Sequence, residues 1–323
     1  MPPIRAPGQE CPGGTRTQGT HPSLSAKKGM RPFFPRVCIS GVGKESDQMS
    51  NAEEERGRLT AKLLRSPVEY RLGLCVLDAD WVTWQPEGRP EHELHLFGRA
   101  AVLIVRPWGN VCLVLGEPSD DEAREIAAFL PSAGINELHT VGDPGMRALK
   151  RWITDGRWQM SRQYCLESAG FRPRPSTLVR QLGPGDRQSI EAAIEAYKVA
   201  RHCATMRDFD YMAERRPVAC YGAFADGELA AFCSSNPVYT GITEISWIFT
   251  AEPYRRRGLA AGVLTSACEQ AFARGDVVAY FNGESTEGVY RMVTSEGFRE
   301  LRPVYRFVPA SCPEQWRCWG KDV

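Results

Sequence analysis

The stretch from Ile242 to Phe281 leaves a chain like this little freedom. A run of strand character, Ile242–Thr250, passes into the basic turn Ala251–Gly258, which opens a helix over Leu259–Arg274; a second strand follows at Val277–Phe281. In the helix, Leu259, Val263, Leu264, Ala267, Cys268, Ala271 and Phe272 share one apolar face, and Gly275 ends it. The first turn of any helix carries backbone N–H groups without internal partners and the positive end of the helix dipole. Here that turn is built from Gly258, Ala260, Ala261 and Gly262, so a phosphate oxygen can approach closely. Arg255, Arg256 and Arg257 stand just before it and can add charge-assisted hydrogen bonds. A solvated arginine cluster at an ordinary turn would explain the arginines, but not the helix start, the small residues and the upstream strand together.

Composition sets the frame around this turn. The 323 residues suggest two domains, and 42% hydrophobic residues suffice for real cores. A formal net charge of +1 gives no sign of a nucleic-acid partner. No apolar run reaches the ~18 residues of a membrane span, and the eleven cysteines, scattered and without a CxxC pair, read as reduced thiols of a cytoplasmic protein. Cys75, Cys112, Cys165, Cys220, Cys233 and Cys268 all lie in apolar stretches, while Cys312 and Cys318 form a lone close pair. His21, His92, His95, His139 and His202 show no metal-ligand spacing, so no metal is expected. Gly41-Val42-Gly43-Lys44 lacks the upstream Gly and the following Ser or Thr of a phosphate loop.

Residues 1–48 are rich in Pro, Gly, Ser and Thr and read as a disordered tail, either a transit segment or an extension upstream of Met49. Residues 51–170 follow as an α/β domain without a catalytic motif. Its expected elements are a helix over Glu53–Leu64, strands Ala100–Val105 and Val111–Leu115 joined by a turn at 107–110, and a helix capped by Ser119 that ends before Pro131. A strand at Leu138–Val141, a helix over Gly145–Thr154 and a strand at Gln163–Leu166 complete it. Pro173-Arg174-Pro175 marks a boundary. The second domain, 175–310, holds strands at 177–182, 220–224 and 229–233, with Asp226-Gly227 as a tight hairpin turn, and a last strand at Val304–Val308; residues 311–323 are a C-terminal tail.

The turn at Arg255, Gly258 and Ala260 resembles the GNAT superfamily of acyl-CoA-dependent N-acetyltransferases, whose hallmark is Arg or Gln, two residues, Gly, one residue, then Gly or Ala. The Asp226-Gly227 hairpin, Pro253 and Gly297-Phe298 are similar to the same family, and the resemblance covers about residues 176–308. It implies a mixed sheet flanked by helices in the C-terminal domain, an α/β (α+β) class overall, and an N-terminal domain whose element order is compatible with a degenerate copy of the same fold. It implies acetyl-CoA as co-substrate, with the pyrophosphate at Arg255, Arg256, Arg257, Gly258, Leu259, Ala260 and Ala261 and the pantetheine arm along Ile248, Phe249 and Thr250. Glu244, 14 residues before Gly258, matches the spacing of the general base in histone-type members; a strand carboxylate facing solvent explains it equally well. The usual general-acid tyrosine position is Val293, with Tyr290 one turn earlier as candidate substitute or ordinary packed residue. The usual Asn falls on Thr286, with Asn282 nearby. The resemblance implies acyl transfer, most simply of acetyl, to a small-molecule, peptide or protein amine. A non-catalytic acyl-CoA sensor is the alternative.

Overall fold

Val105 and Val111 pair across an antiparallel ladder, and Asn110, just before Val111, takes the left-handed backbone (φ 59°). The structure, a computed structural model, describes residues 45–77, 92–106, 110–201, 219–282, 287–311 and 321–322. The expected turn residues 107–109, Cys312, Cys318, His21, His202 and Thr286 lie outside the described residues.

The N-terminal half begins with α1 (Glu45–Leu63) and α2 (Arg71–Leu77). Helix α1 starts eight residues before the expected Glu53, so the last residues assigned to the tail, 45–48, are helical. β1 (His92–Phe97), β2 (Ala100–Val105) and β3 (Val111–Leu115) form an antiparallel meander. α3 (Asp120–Ala133) then crosses to β4 (Glu137–Val141), which lies parallel to β3. α4 (Asp143–Lys150) and β5 (Gly156–Leu166) complete the half. Pro131 sits inside α3 rather than after it; within the last turn the bond it forgoes is a single one, and Gly134 at φ 60° ends the helix.

The C-terminal half repeats the plan. β6 (Val179–Gln181) leads to α5 (Arg187–Arg201), and β7 (Ala219–Ala225), β8 (Glu228–Tyr239) and β9 (Ile242–Thr250) form a meander. Asp226 (φ 54°) and Gly227 (φ 83°) make the tight turn that the sequence demands. α6 (Leu259–Ala273) crosses to β10 (Val277–Asn282), parallel to β9. α7 (Glu287–Ser295), the short β11 (Arg299–Glu300) and β12 (Val304–Pro309) follow.

The two last strands are exchanged between the halves. β12 pairs with β4 and with the first part of β5, from Val304↔Ser161 to Pro309↔Gly156. The second part of β5 pairs with β10, from Leu166↔Val278 to Arg162↔Asn282. The order β1-β2-β3-β4-β12-β5-β10-β9-β8-β7-β6 therefore carries one sheet through both sides of Pro173–Pro175. Buried Arg306 of β12 fastens the exchange by pairing with Glu137 of β4. Burial alone would raise the Glu137 carboxyl, but the charges and hydrogen bonds of His139 and Arg306 outweigh it and hold it at about 2.

Separate apolar layers cover the sheet. Leu74, Cys75 and Val76 of α2 pack with Leu103, Leu113 and Val304 on one face of the N-terminal half; Ile126 and Leu130 of α3 pack on the other. In the C-terminal half Val263, Leu264, Ala267 and Cys268 of α6 join Ile245, Val278 and Phe298. Gly297 (φ 101°) lets the Gly-Phe pair turn there: a Cβ would stand 2.0 Å from the Gly170 carbonyl oxygen. The six cysteines from Cys75 to Cys268 are buried thiols. Among the described residues no helix is long and apolar enough to cross a membrane.

Candidate active site

Strand β9 has one continuous neighbour and one partial neighbour. β8 accompanies it to Thr250, whereas its pairing with β10 ends at Ile245↔Tyr280. Beyond that pair the two parallel strands diverge, and residues 246–250 border the resulting wedge. Ile248, Phe249 and Thr250, the expected pantetheine positions, all lie in this segment, half-buried. Phe249 is braced by Phe232 at 5.6 Å between ring centres.

The turn after β9 is held tightly at its start and leaves its later N–H groups unused. Ala251 N–H donates to the Ala230 carbonyl (2.8 Å), Tyr254 N–H to Ala251 (2.9 Å) and Arg255 N–H to Glu252 (3.2 Å). The next backbone donor with a protein acceptor is Gly262, bonded to the Gly258 carbonyl at 3.0 Å. Among the described residues no acceptor receives the N–H groups of residues 256–261, and no side chain caps α6. Arg256 (φ 65°) and Gly258 (φ 79°) both adopt the left-handed conformation that curls these donors together. Apart from its chain neighbours, no atom of the described residues lies within 4 Å of a Cβ placed on Gly258, so the space in front of it is open.

Arg255, Arg256 and Arg257 are exposed around this mouth. Arg255 is steadied by the Thr250 carbonyl (3.3 Å) and Arg257 by the Tyr254 ring (5.2 Å). Gly262 serves packing rather than ligand approach. A Cβ there would come to 3.0 Å from Ser176 and 3.1 Å from Val179, and α6 is buried on more than the single face expected. The open donors, the left-handed glycine and the positive charge thus stand together at one helix N-terminus, where the dipole favours an anion.

Glu244 lies on β9 just before the strands part, on the sheet face opposite Ile245. It does not face solvent. Its side chain is 14% exposed and bound by Arg71 of α2, itself 2% exposed, with two guanidinium nitrogens each 2.5 Å from Oε2. Directly across from Glu244 on β8 stands Asn236, whose buried Oδ1 has no hydrogen-bond partner among the described residues. Cys75 is close as well: burial pushes its thiol well up and the Glu244 charge pushes it further, so it stays protonated. The Arg71 contact was invisible to sequence reasoning, since the partners are 173 positions apart and no local pattern links them.

The remaining sequence candidates divide. Val293, on α7, is fully buried in the core that α6 also lines. Tyr290 is 38% exposed rather than packed inside, and its ring lies 5.5 Å from the Arg162 guanidinium on β5, the strand on the far side of β10 from β9. Asn282, buried, ends β10 beside the wedge. Among the described residues no group of three His, Cys, Asp or Glu side chains is placed to hold a metal ion.

Residues 188–292 match the family model described as "Acetyltransferase (GNAT) family". In solved structures the chain is similar to a Drosophila protein (TM-score 0.54, 13% identity, covering 79% of this chain and 96% of that one). It is similar also to a GCN5-related N-acetyltransferase from Kribbella flavida (TM-score 0.51, 16% identity, 68% and 90%). A functionally unknown conserved protein from Staphylococcus epidermidis aligns comparably (TM-score 0.51, 10% identity, 67% and 92%). At such identities the likeness is one of fold, and its extent reaches beyond the C-terminal half. No curated protein matches in sequence.

Proposed function

We propose that the C-terminal half of this chain, whose residues 188–292 match the GNAT acetyltransferase family model, transfers an acyl group, most simply acetyl, from acyl-CoA to a primary amine. The observation that carries this reading is the run of six unused N–H groups, residues 256–261, at the mouth of the wedge. They and the three arginines suit the pyrophosphate, and Ile248, Phe249 and Thr250 suit the pantetheine arm. When bound, acyl-CoA supplies an activated thioester carbonyl.

The protein's own groups have two tasks. An amine at neutral pH arrives as an ammonium and must lose a proton before it attacks; Glu244 accepts that proton, directly or through a water. Asn236 Oδ1, buried beside it without a partner, fits an N–H donor on the same acceptor. Tyr290 is the candidate to return a proton to the departing thiolate.

Burial of Val293 at the usual acid position favours a second reading, a domain that binds acyl-CoA without turning it over. Thiol release from acetyl-CoA, followed with the full chain against a panel of amines, amino acids and peptides, separates the two. Acceptor-dependent release supports the transferase. Tight acyl-CoA binding with no release for any acceptor supports the sensor.

A further inference from the structure

The position of Arg71 has no place in the reading above. It belongs to α2 in the N-terminal half, yet its side chain ends at Glu244 in the C-terminal half. We propose that Arg71 is the positioning residue of Glu244, so that the N-terminal half supplies an essential part of the active centre. This rests on Glu244 being the proton acceptor.

Four observations support the assignment. The guanidinium is almost completely buried and its donors are distributed over three acceptors: Glu244 Oε2 at 2.5 Å, Gln163 Oε1 at 2.6 Å and the Val68 carbonyl at 2.8 Å. Gln163 is itself oriented, because its amide donates to the Arg302 carbonyl at 3.2 Å. The Arg302 side chain in turn binds Glu69, two residues before Arg71, at 2.6 Å, and Glu117 at 2.7 Å. The planar fork of an arginine held at three points has one orientation, and a carboxylate oxygen gripped by two nitrogens of that fork is fixed in place.

The fourth observation is how the contact is divided. Both nitrogens engage Oε2, and among the described residues Oε1 accepts no hydrogen bond. A glutamate on a strand edge has three side-chain torsions to settle, whereas a general base must be aimed to a fraction of an ångström. Arg71 removes that freedom and leaves one oxygen for the proton. A simple fastening of α2 to the sheet would not call for this arrangement. Buried ion pairs stabilise little or nothing over apolar packing of the same shape, and α2 already buries Leu74, Cys75, Val76 and Leu77.

The test is a double-variant cycle on the full chain with Arg71→Gln, Glu244→Gln and the pair. It follows kcat, the KM for acyl-CoA and the melting temperature. Arg71→Gln should lower kcat about tenfold or more, within the range of a lost base, with KM for acyl-CoA hardly changed. In the Glu244→Gln background it should cause no further fall, because both variants remove one function. Arg71→Lys, which keeps the charge without the fork, should recover part of the loss, and it carries the cycle if Arg71→Gln does not fold. Multiplying losses in the double variant would make Arg71 a structural residue and overturn the proposal. A folded Arg71 variant with unchanged kcat, beside a crippled Glu244→Gln, would overturn it while leaving Glu244 as base. Full turnover in Glu244→Gln alone would remove the base reading and this inference with it.

Discussion

Two strand-to-helix turns occupy equivalent places in the two halves of the molecule, each between a pair of parallel strands, and they are chemically opposite. After β3, Ser119 accepts the Glu122 N–H at 3.3 Å while Glu122 accepts the Ser119 N–H at 2.6 Å, and Asp120, Asp121 and Glu122 fill the first turn of α3. Glu122 also accepts the Arg99 N–H at 2.7 Å. After β9 there is no cap and no acid in the first turn of α6, and three arginines precede it. A helix N-terminus offers the same dipole in both places. The N-terminal turn meets the Ser119 and Glu122 N–H groups with its own side chains and lines the helix start with negative charge. The C-terminal turn leaves its donors without a protein acceptor among the described residues and surrounds them with positive charge. One strand-helix-strand plan can thus either cap its helix start with acidic side chains or leave it open and ringed by cations, and the side chains of the turn decide which.

The comparison can be broken most severely at Gly258. Gly258→Glu adds a carboxylate and a strained left-handed side chain where the phosphates would lie. Loss of two charged hydrogen bonds, at about 1.5–3 kcal/mol each, should weaken acyl-CoA binding about 100-fold or more. Calorimetric titration of the folded variant reads this, and equal affinity would make the two turns functionally alike. Glu244→Gln should leave that affinity nearly unchanged while lowering kcat at least about tenfold near neutral pH. Turnover should recover partly at high pH, where free amine is abundant. A flat ratio to wild type across pH would place the base elsewhere.

Smaller effects sharpen the contrast from the other side. Ser119→Ala removes one arm of the capping box and should cost about 1 kcal/mol in denaturant unfolding. Acyl-CoA affinity should not move, since that turn is expected to bind no phosphate; a change in affinity would show that the halves share the ligand. Least of all should come from starting the chain at Met49, which removes the first turn of α1 but keeps the buried Leu59 and Leu63. Both melting temperature and turnover should match the full chain, and a marked drop in either would show that the earlier residues support one of the halves.

Much of the fold was legible residue by residue. Ala100–Val105, Val111–Leu115 and Ile242–Thr250 were read as strands with the ends they have, because each is a run bounded by turn residues. The first part of β5 was missed. Its Arg157, Gln159 and Ser161 carry no apolar signature, and what makes this segment a strand is β12, far along the chain. β1 was missed for a similar reason: His92, Glu93 and His95 obscure an edge strand that exists through its pairing with β2.

The conformation of the turn before α6 was legible in the sequence itself. Its left-handed glycine, its small residues, its arginines and its helix start lie within a few positions of one another, and the forces between them are local sterics and the helix dipole. The exchange of β5 and β12 and the clasp of Arg71 on Glu244 were decided only in three dimensions. They join residues well over a hundred positions apart, through hydrogen bonds and an ion pair that form once the sheet has brought the two halves edge to edge. Composition and periodicity record which face of a segment is apolar; they do not record which distant segment will cover it.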